Sequence, residues 1–318
     1  MATTKIQNKG RVTRVVRDAA EETSKKIIAA LKAGTVPWQK TWKSNGSSGL
    51  PTSLSTGRPY RGVNVFTLWL TGAAAGYASN LWGTYKQISE RGGQVRKGEK
   101  STDIVFWKII EKTDDEGKLK KIPLLRLFHV FNIDQADWAD NARLPKVAEP
   151  VEGEAVDPIE AAEALVAEYL AKGPSLGHGG DRACYQPAAD HVQMPALADF
   201  VSAEAYHSTL YHELTHSTGH DSRLKRDGIA QGTFGAFGDK VYSNEELIAE
   251  MGAAILCSVA GIEQAATLDN SASYLAHWIK ALEGDSSLII KAASAAQKGV
   301  DRILGTTFDN KEEETTVA

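Results

Sequence analysis

The chain opens with a helical spacing of apolar positions over about Val16 to Ala33, closed by Gly34. Short aromatic and β-branched runs follow, separated by turn clusters at Ser44–Gly49, Arg91–Gly93, Lys97–Gly98 and Asp114–Gly117. Ile104–Ile110 and Pro123–Phe131 flank the last cluster and predict a hairpin. The pattern then changes. Lys146 to Pro158 is acidic, holds two prolines and keeps no period, as a linker would. Beyond it the spacing is helical over 159–171, 203–217, 244–260, 272–283 and 287–304. The fold class predicted is α+β: an N-terminal α+β domain (1–145), a linker (146–158), a mainly helical domain (159–305) and a frayed tail (306–318).

Length and composition agree with two folded units. The 318 residues are 42% hydrophobic and 24% charged, which excludes disordered and fibrous classes. The longest apolar runs, such as Leu68–Ala75, fall far short of the roughly 20 residues of a membrane span. No secretory leader is visible, and the only cysteines, Cys184 and Cys257, offer neither a disulfide framework nor a thiolate zinc site. A reducing, cytoplasmic location without membrane partners is expected.

Net charge divides sharply. Residues 1–130 hold 23 Lys/Arg against 10 Asp/Glu, a balance of +13, whereas residues 131–318 hold 13 against 30, a balance of −17. A basic unit for a polyanion beside an acidic one fits this split; two oppositely charged surfaces holding each other is the plainer alternative.

The strongest chemical signal is Tyr211-His-Glu-Leu-Thr-His216. Four residues apart on a helix, His212 and His216 share a face and can present two imidazoles to one ion. Glu213, one residue from a ligand, is placed to contact metal-bound water, the His-Glu-x-x-His arrangement of zinc hydrolases. Ser202 is a candidate N-cap and Gly219 a candidate stop. A third ligand is sought downstream. Glu246 is favoured because Glu250 lies one turn on, able to take the outward N–H of a ligand imidazole; Glu245 and Glu250 are the other candidates. Ser243-x-x-Glu246 also reads as a capping box that needs no metal. Zn²⁺ is the expected ion, with Mn²⁺ or another divalent metal compatible with imidazole and carboxylate. Zinc would polarise a carbonyl while Glu213 takes the water proton and passes it to the leaving amine.

Other groups are weaker candidates. His220 does not match the longer zincin spacing and is assigned near the ligands or facing substrate; His207 is assigned to structure. His277 and Tyr242 are candidate donors to a developing oxyanion, and Asp227–Gly238 a candidate rim over the cleft.

The basic half interleaves cations with rings: Trp38, Lys40, Trp42 and Lys43; Arg58, Tyr60 and Arg61; Trp82, Tyr85 and Lys86; then Arg91, Arg96, Lys97 and Lys100. Single-stranded nucleic acid is held by such sets, cations along the backbone and rings against bases. The same rings could instead fill a small core. No signature for reading duplex sequence is present.

Several segments taken together resemble the ArdC-type antirestriction family of conjugative plasmids. They are Gly34-Thr-Val-Pro-Trp38-Gln-Lys-Thr-Trp42, Arg58-Pro-Tyr-Arg-Gly-Val-Asn64, Trp82-Gly-Thr-Tyr-Lys-Gln87, Gly92–Lys100, Val130–Gln135, Tyr211–His220 with Ser222-Arg-Leu224, and Glu245–Ala254. The resemblance covers most of residues 15–303. It implies an N-terminal single-stranded-DNA-binding domain related to plasmid primases and a C-terminal zincin-like metalloprotease domain. His212, Glu213 and His216 map onto that motif and Glu246 onto its downstream acidic ligand. The implied role is protection of DNA entering a recipient from restriction, with a protein substrate, a restriction component among the options, left unnamed. A DNA-shielding protein with a structural metal site is the alternative. A metal-dependent nuclease is disfavoured, since such enzymes lean on carboxylate clusters.

Overall fold

The computed structural model describes residues 21–38, 49–113, 119–145, 158–230, 240–262 and 272–306. The expected linker up to residue 157, the tail from 307 and the first turns of the opening helix lie outside the described residues. Residues 21–32 form α1. Then come β1 (Thr52–Ser53), α2 (Val63–Ala75), β2 (Leu81–Thr84), α3 (Tyr85–Glu90), β3 (Gly93–Val95), β4 (Thr102–Thr113), β5 (Leu119–Asn132) and β6 (Ala136–Trp138). The predicted hairpin is β4–β5, in register from Thr102 opposite Val130 to Thr113 opposite Leu119. It completes a sheet of order β1-β2-β5-β4, beside a two-stranded β3–β6 ribbon.

The pattern did not predict α2. Val63, Val65, Phe66, Thr67, Leu68 and Trp69 are all buried. A helix enclosed on most sides carries no polar face, so its period is hidden and a short apolar run looks like a strand.

After the linker, α4 (Pro158–Lys172) begins on a residue assigned by pattern to the linker. Proline suits the first helical turn, where its missing N–H is not needed. A small sheet that the pattern did not predict follows: β7 (Ser175–His178), β8 (Cys184–Gln186) and β9 (His191–Met194), in the order β7-β9-β8 with β8 at the edge. Strands of three or four residues are too short to display alternation. The helices α5 (Ala203–Ser217), α6 (Lys240–Ala260), α7 (Ala272–Gly284) and α8 (Leu288–Ile303) complete the fold. The Ser202 hydroxyl accepts from the Ala205 N–H at 3.2 Å and caps α5 as expected. By contrast α6 starts four residues before Asn244, so Ser243 and Glu246 sit inside it and the capping-box alternative falls away.

One hydrophobic cluster runs through both halves. Ile27, Trp38, Phe66 and Trp69 pack in it with Tyr211, Leu247, Trp278 and Val300. Trp38 meets Trp278 edge-on, ring centroids 5.2 Å apart. Beside this core the Arg61 guanidinium pairs with Asp301, and the Gly62 N–H donates to Gln297 Oε1 at 3.1 Å. Two smaller clusters serve the N-terminal sheets. Among the described residues no helix is long and apolar enough to cross a membrane.

Candidate metal centre

α5 carries His212, Glu213 and His216, and α6 lies against it. At Gly252 on α6 an added Cβ would sit 2.5 Å from Thr215 Cγ2 on α5, so a glycine is required where the helices meet. That approach brings Glu246 to the two histidines. The imidazole Nε2 atoms of His212 and His216 are 3.1 Å apart, and each lies 3.5 Å from an oxygen of Glu246. Ligands about 2.0–2.1 Å from one tetrahedral ion stand roughly 3.3 Å from one another. The observed triangle matches that spacing. These three residues form the His-His-Glu cluster able to hold a divalent metal, and it is largely buried.

A carboxylate stands behind each imidazole. Glu250 Oε1 is 3.5 Å from His212 Nδ1, and Glu245 Oε1 is 3.2 Å from His216 Nδ1. Both outer nitrogens thus face an acceptor, which aims both Nε2 lone pairs inward. Glu250 was expected in this position. Glu245, a candidate ligand by its position in the sequence, is adjacent to Glu246 on a helix and so points about 100° away, toward the outer nitrogen of His216. Arg226 secures it, its Nε donating to Glu245 Oε2 at 2.9 Å and its Nη2 to Oε1, while Nη2 also reaches the Thr215 carbonyl at 2.8 Å. No local pattern marks Arg226 as a partner, because it comes from the loop beyond α5.

The electrostatics suit a cation. Burial alone would depress the His212 imidazole, but Glu246, Glu250 and Glu213 around it push it up to about 10. Burial opposes ionisation of Glu246, yet the two imidazoles and the Tyr242 hydroxyl hold it down at about 2. Burial pushes the Glu250 carboxyl up. Four carboxyl groups and two imidazoles with one guanidinium leave room for added positive charge, so the residues present fit a divalent ion.

Glu213 is held by a contact that the motif did not announce. Its Oε2 accepts the backbone N–H of Tyr185, on edge strand β8, at 2.7 Å. The Tyr185 hydroxyl donates to Asp190 Oδ1 at 2.9 Å, and Arg223 grips Asp190 while its Nε reaches the Ser217 carbonyl at 2.8 Å. This chain ties the end of α5 to the β8–β9 turn and fixes the strand that clasps Glu213.

The remaining candidates separate clearly. His220 is bound to Ser222 in the turn after α5, apart from the cluster, and His207 is buried between Tyr206 and Tyr211. Tyr242 is at the centre but bonded to Glu246, and His277 is on α7. Of the Gly-rich stretch, residues 231–239 lie outside the described residues, as do Lys40, Trp42 and Lys43 in the basic half.

Among the rings expected to stack on bases, Trp38, Tyr60 and Trp82 are 0%, 8% and 2% exposed. They are core residues with no face to offer, and the stacking role is withdrawn for them. Arg61 is spent on Asp301. Arg91 donates to the carbonyls of Arg143 and Ser55, and Arg96 to that of Asp134. Tyr85, Lys86, Lys97, Lys100 and Arg58 remain exposed, Lys86 3.9 Å from Glu90.

Residues 17–131 match the N-terminal domain of anti-restriction factor ArdC, and residues 160–295 match a zincin-like metallopeptidase family. The chain is 37% identical over 295 residues to an uncharacterized protein, y4eC, of Sinorhizobium fredii, covering 89% of this chain and 91% of that one. It is 37% identical over 316 residues to the DNA primase TraC of Escherichia coli, covering 93% of this chain but 28% of the primase. Among solved structures, the metal-free antirestriction ArdC protein from the R388 plasmid is 40% identical with a TM-score of 0.70, covering 95% of this chain and 99% of that one. The Mn(II)-bound structure of that protein gives 0.69 at 40% identity, covering 90% and 97%.

Proposed function

Because the chain belongs to the ArdC family of antirestriction proteins, we propose that it is a metal-dependent peptidase carried by a half that binds single-stranded DNA, and that it protects DNA entering a cell as a single strand from restriction. Zinc is the first choice of metal, and a protein of the recipient, such as a restriction component, is the substrate class.

The observation that carries this reading is a positioned base beside a three-ligand cluster. Structural zinc sites close with four protein ligands, whereas catalytic ones use three and keep a place for water. A divalent ion held by His212, His216 and Glu246 would polarise a substrate carbonyl and acidify a water. Glu213, anchored through Oε2, has Oε1 left to accept that water's proton, and the same carboxyl then delivers it to the leaving amine. Glu245 and Glu250 hold the imidazoles in the tautomer that points Nε2 inward. The excess of cations over acids in residues 1–130 supports the DNA partner.

A second reading has its own support: as part of a DNA primase, a segment like this one could serve to hold DNA without cutting protein. Glu213→Ala separates the two. The variant is expected to keep its metal and its DNA binding while protection of a conjugated plasmid from restriction drops to the level of cells lacking the protein. Full protection by that variant would establish shielding instead.

A further inference from the structure

The metal centre leaves unused an open groove whose lining comes entirely from the N-terminal half. It has a volume of about 520 Å³ and is lined by Tyr85, Gln94, Val95, Arg96, Lys97 and Phe131, among others. This size lies within the roughly 300–1,000 Å³ of small-ligand clefts. We propose that this groove is a subsite for one unpaired base of a single-stranded nucleic acid, with Tyr85 as its stacking ring and Lys97 and Lys100 as its phosphate contacts. The assignment rests on the DNA-binding reading of this half and places it on particular atoms.

Four observations converge on it. First, Tyr85 is 51% exposed, while Trp38, Tyr60 and Trp82 are buried. It is therefore the ring of the described set that can meet a base. Second, the ring is fixed before any ligand arrives. Gln94 Nε2 donates to the Tyr85 hydroxyl at 3.0 Å, and Phe131 stands edge-on to the ring at 6.5 Å between centroids and 71° between planes. A ring already held loses little freedom when a base covers it.

Third, the acids on the rim are partly offset from within. Arg96 lies 3.1 Å from Glu99 and 3.6 Å from Asp137, and its Nη2 donates to the Asp134 carbonyl at 2.6 Å. Gln135 Nε2 also donates to Glu99. Arg96 is thus engaged by the groove's own acids and backbone. Fourth, Lys97 and Lys100 are exposed, and among the described residues neither makes an ion pair. A groove with one open ring face, rim acids partly offset by Arg96 and two further cations suits an unstacked base on an anionic backbone. A duplex, whose bases are already stacked, has no face to offer that ring.

The test is fluorescence polarisation of a labelled oligothymidylate with the full chain, titrated at several salt concentrations. Tyr85→Ala should weaken binding about tenfold without changing the slope of log affinity against log salt, because stacking is uncharged. Tyr85→Phe should stay within about twofold. Lys97→Ala with Lys100→Ala should flatten the slope by about 1.4, two phosphate contacts at roughly 0.7 each. Thermal melting checks that all three variants fold. If the unaltered chain binds and Tyr85→Ala binds equally well, the groove serves another ligand, such as a peptide, and the subsite is overturned while DNA binding stands. An equal loss in Tyr85→Phe would overturn stacking as its basis. No binding by the unaltered chain even at low salt would remove both the subsite and the reading beneath it.

Discussion

The metal centre and the basic half were read from the same string of residues, yet only the first kept its sequence-level form in three dimensions. At the centre, spacing carries geometry: residues four apart on one helix must share a face, so His212 and His216 converge wherever α5 goes. In the basic half, composition carried the argument, and composition does not say which side of a residue meets solvent. Trp38 and Trp82 went to the core and Arg61 to an ion pair with Asp301, leaving Tyr85 and a few cations outside. A motif with a fixed period survives folding because it needs one element. A set spread over separate strands, helices and loops depends on how all of them pack.

The contrast can be broken most forcefully at Trp38. If it belongs to the shared core, Trp38→Ala should cost about 3–5 kcal/mol, and both halves should melt in one transition at lower temperature. Calorimetry and circular dichroism would report it. Two separate transitions, or loss of DNA binding with stability unchanged, would return Trp38 to the surface role first expected of it.

Within the metal centre the two backing carboxylates should differ in kind. Glu245 neutralises the partly buried Arg226, so Glu245→Ala strands a charge and should destabilise the protein by about 2–4 kcal/mol besides weakening the metal. Glu250 faces the His212 imidazole and, among the described residues, no guanidinium. Glu250→Gln should lower metal affinity about 10- to 100-fold with little change in melting, as measured by competition with a chelating dye. Equal melting of the two variants would show that Arg226 does not depend on Glu245.

The smallest effect concerns the strand that clasps Glu213. Tyr185→Phe removes the hydroxyl's hydrogen bond to Asp190 and the one it accepts from Arg223, and should cost about 1–2 kcal/mol. Metal content should be unchanged, since no ligand is touched. Metal loss in this variant would mean that β8 supports the cluster itself and not only its base.

Much of the fold was legible where periods were long. The span of α5 over 203–217, its Ser202 cap and the β4–β5 hairpin all follow from local pattern. Elements that are short or enclosed were not legible. The β7-β9-β8 sheet has strands of three or four residues, and α2 shows no polar stripe because most of its first two turns are buried.

The chemistry divides along the same line. The sequence alone determined which residues could bind an ion and which could act as base, because helical spacing fixes His212, Glu213 and His216 relative to one another. It also favoured Glu246 as the third ligand over its neighbours. Tertiary structure decided the rest. The meeting of α5 and α6 at Gly252 set Glu246 beneath the histidines and turned Glu245 outward to His216 and Arg226. Edge strand β8 supplied the N–H that holds Glu213, and the core shared by the two halves took the tryptophans away from solvent. These are contacts between residues far apart in the chain, and they depend on shape and burial summed over many side chains, which no local spacing encodes.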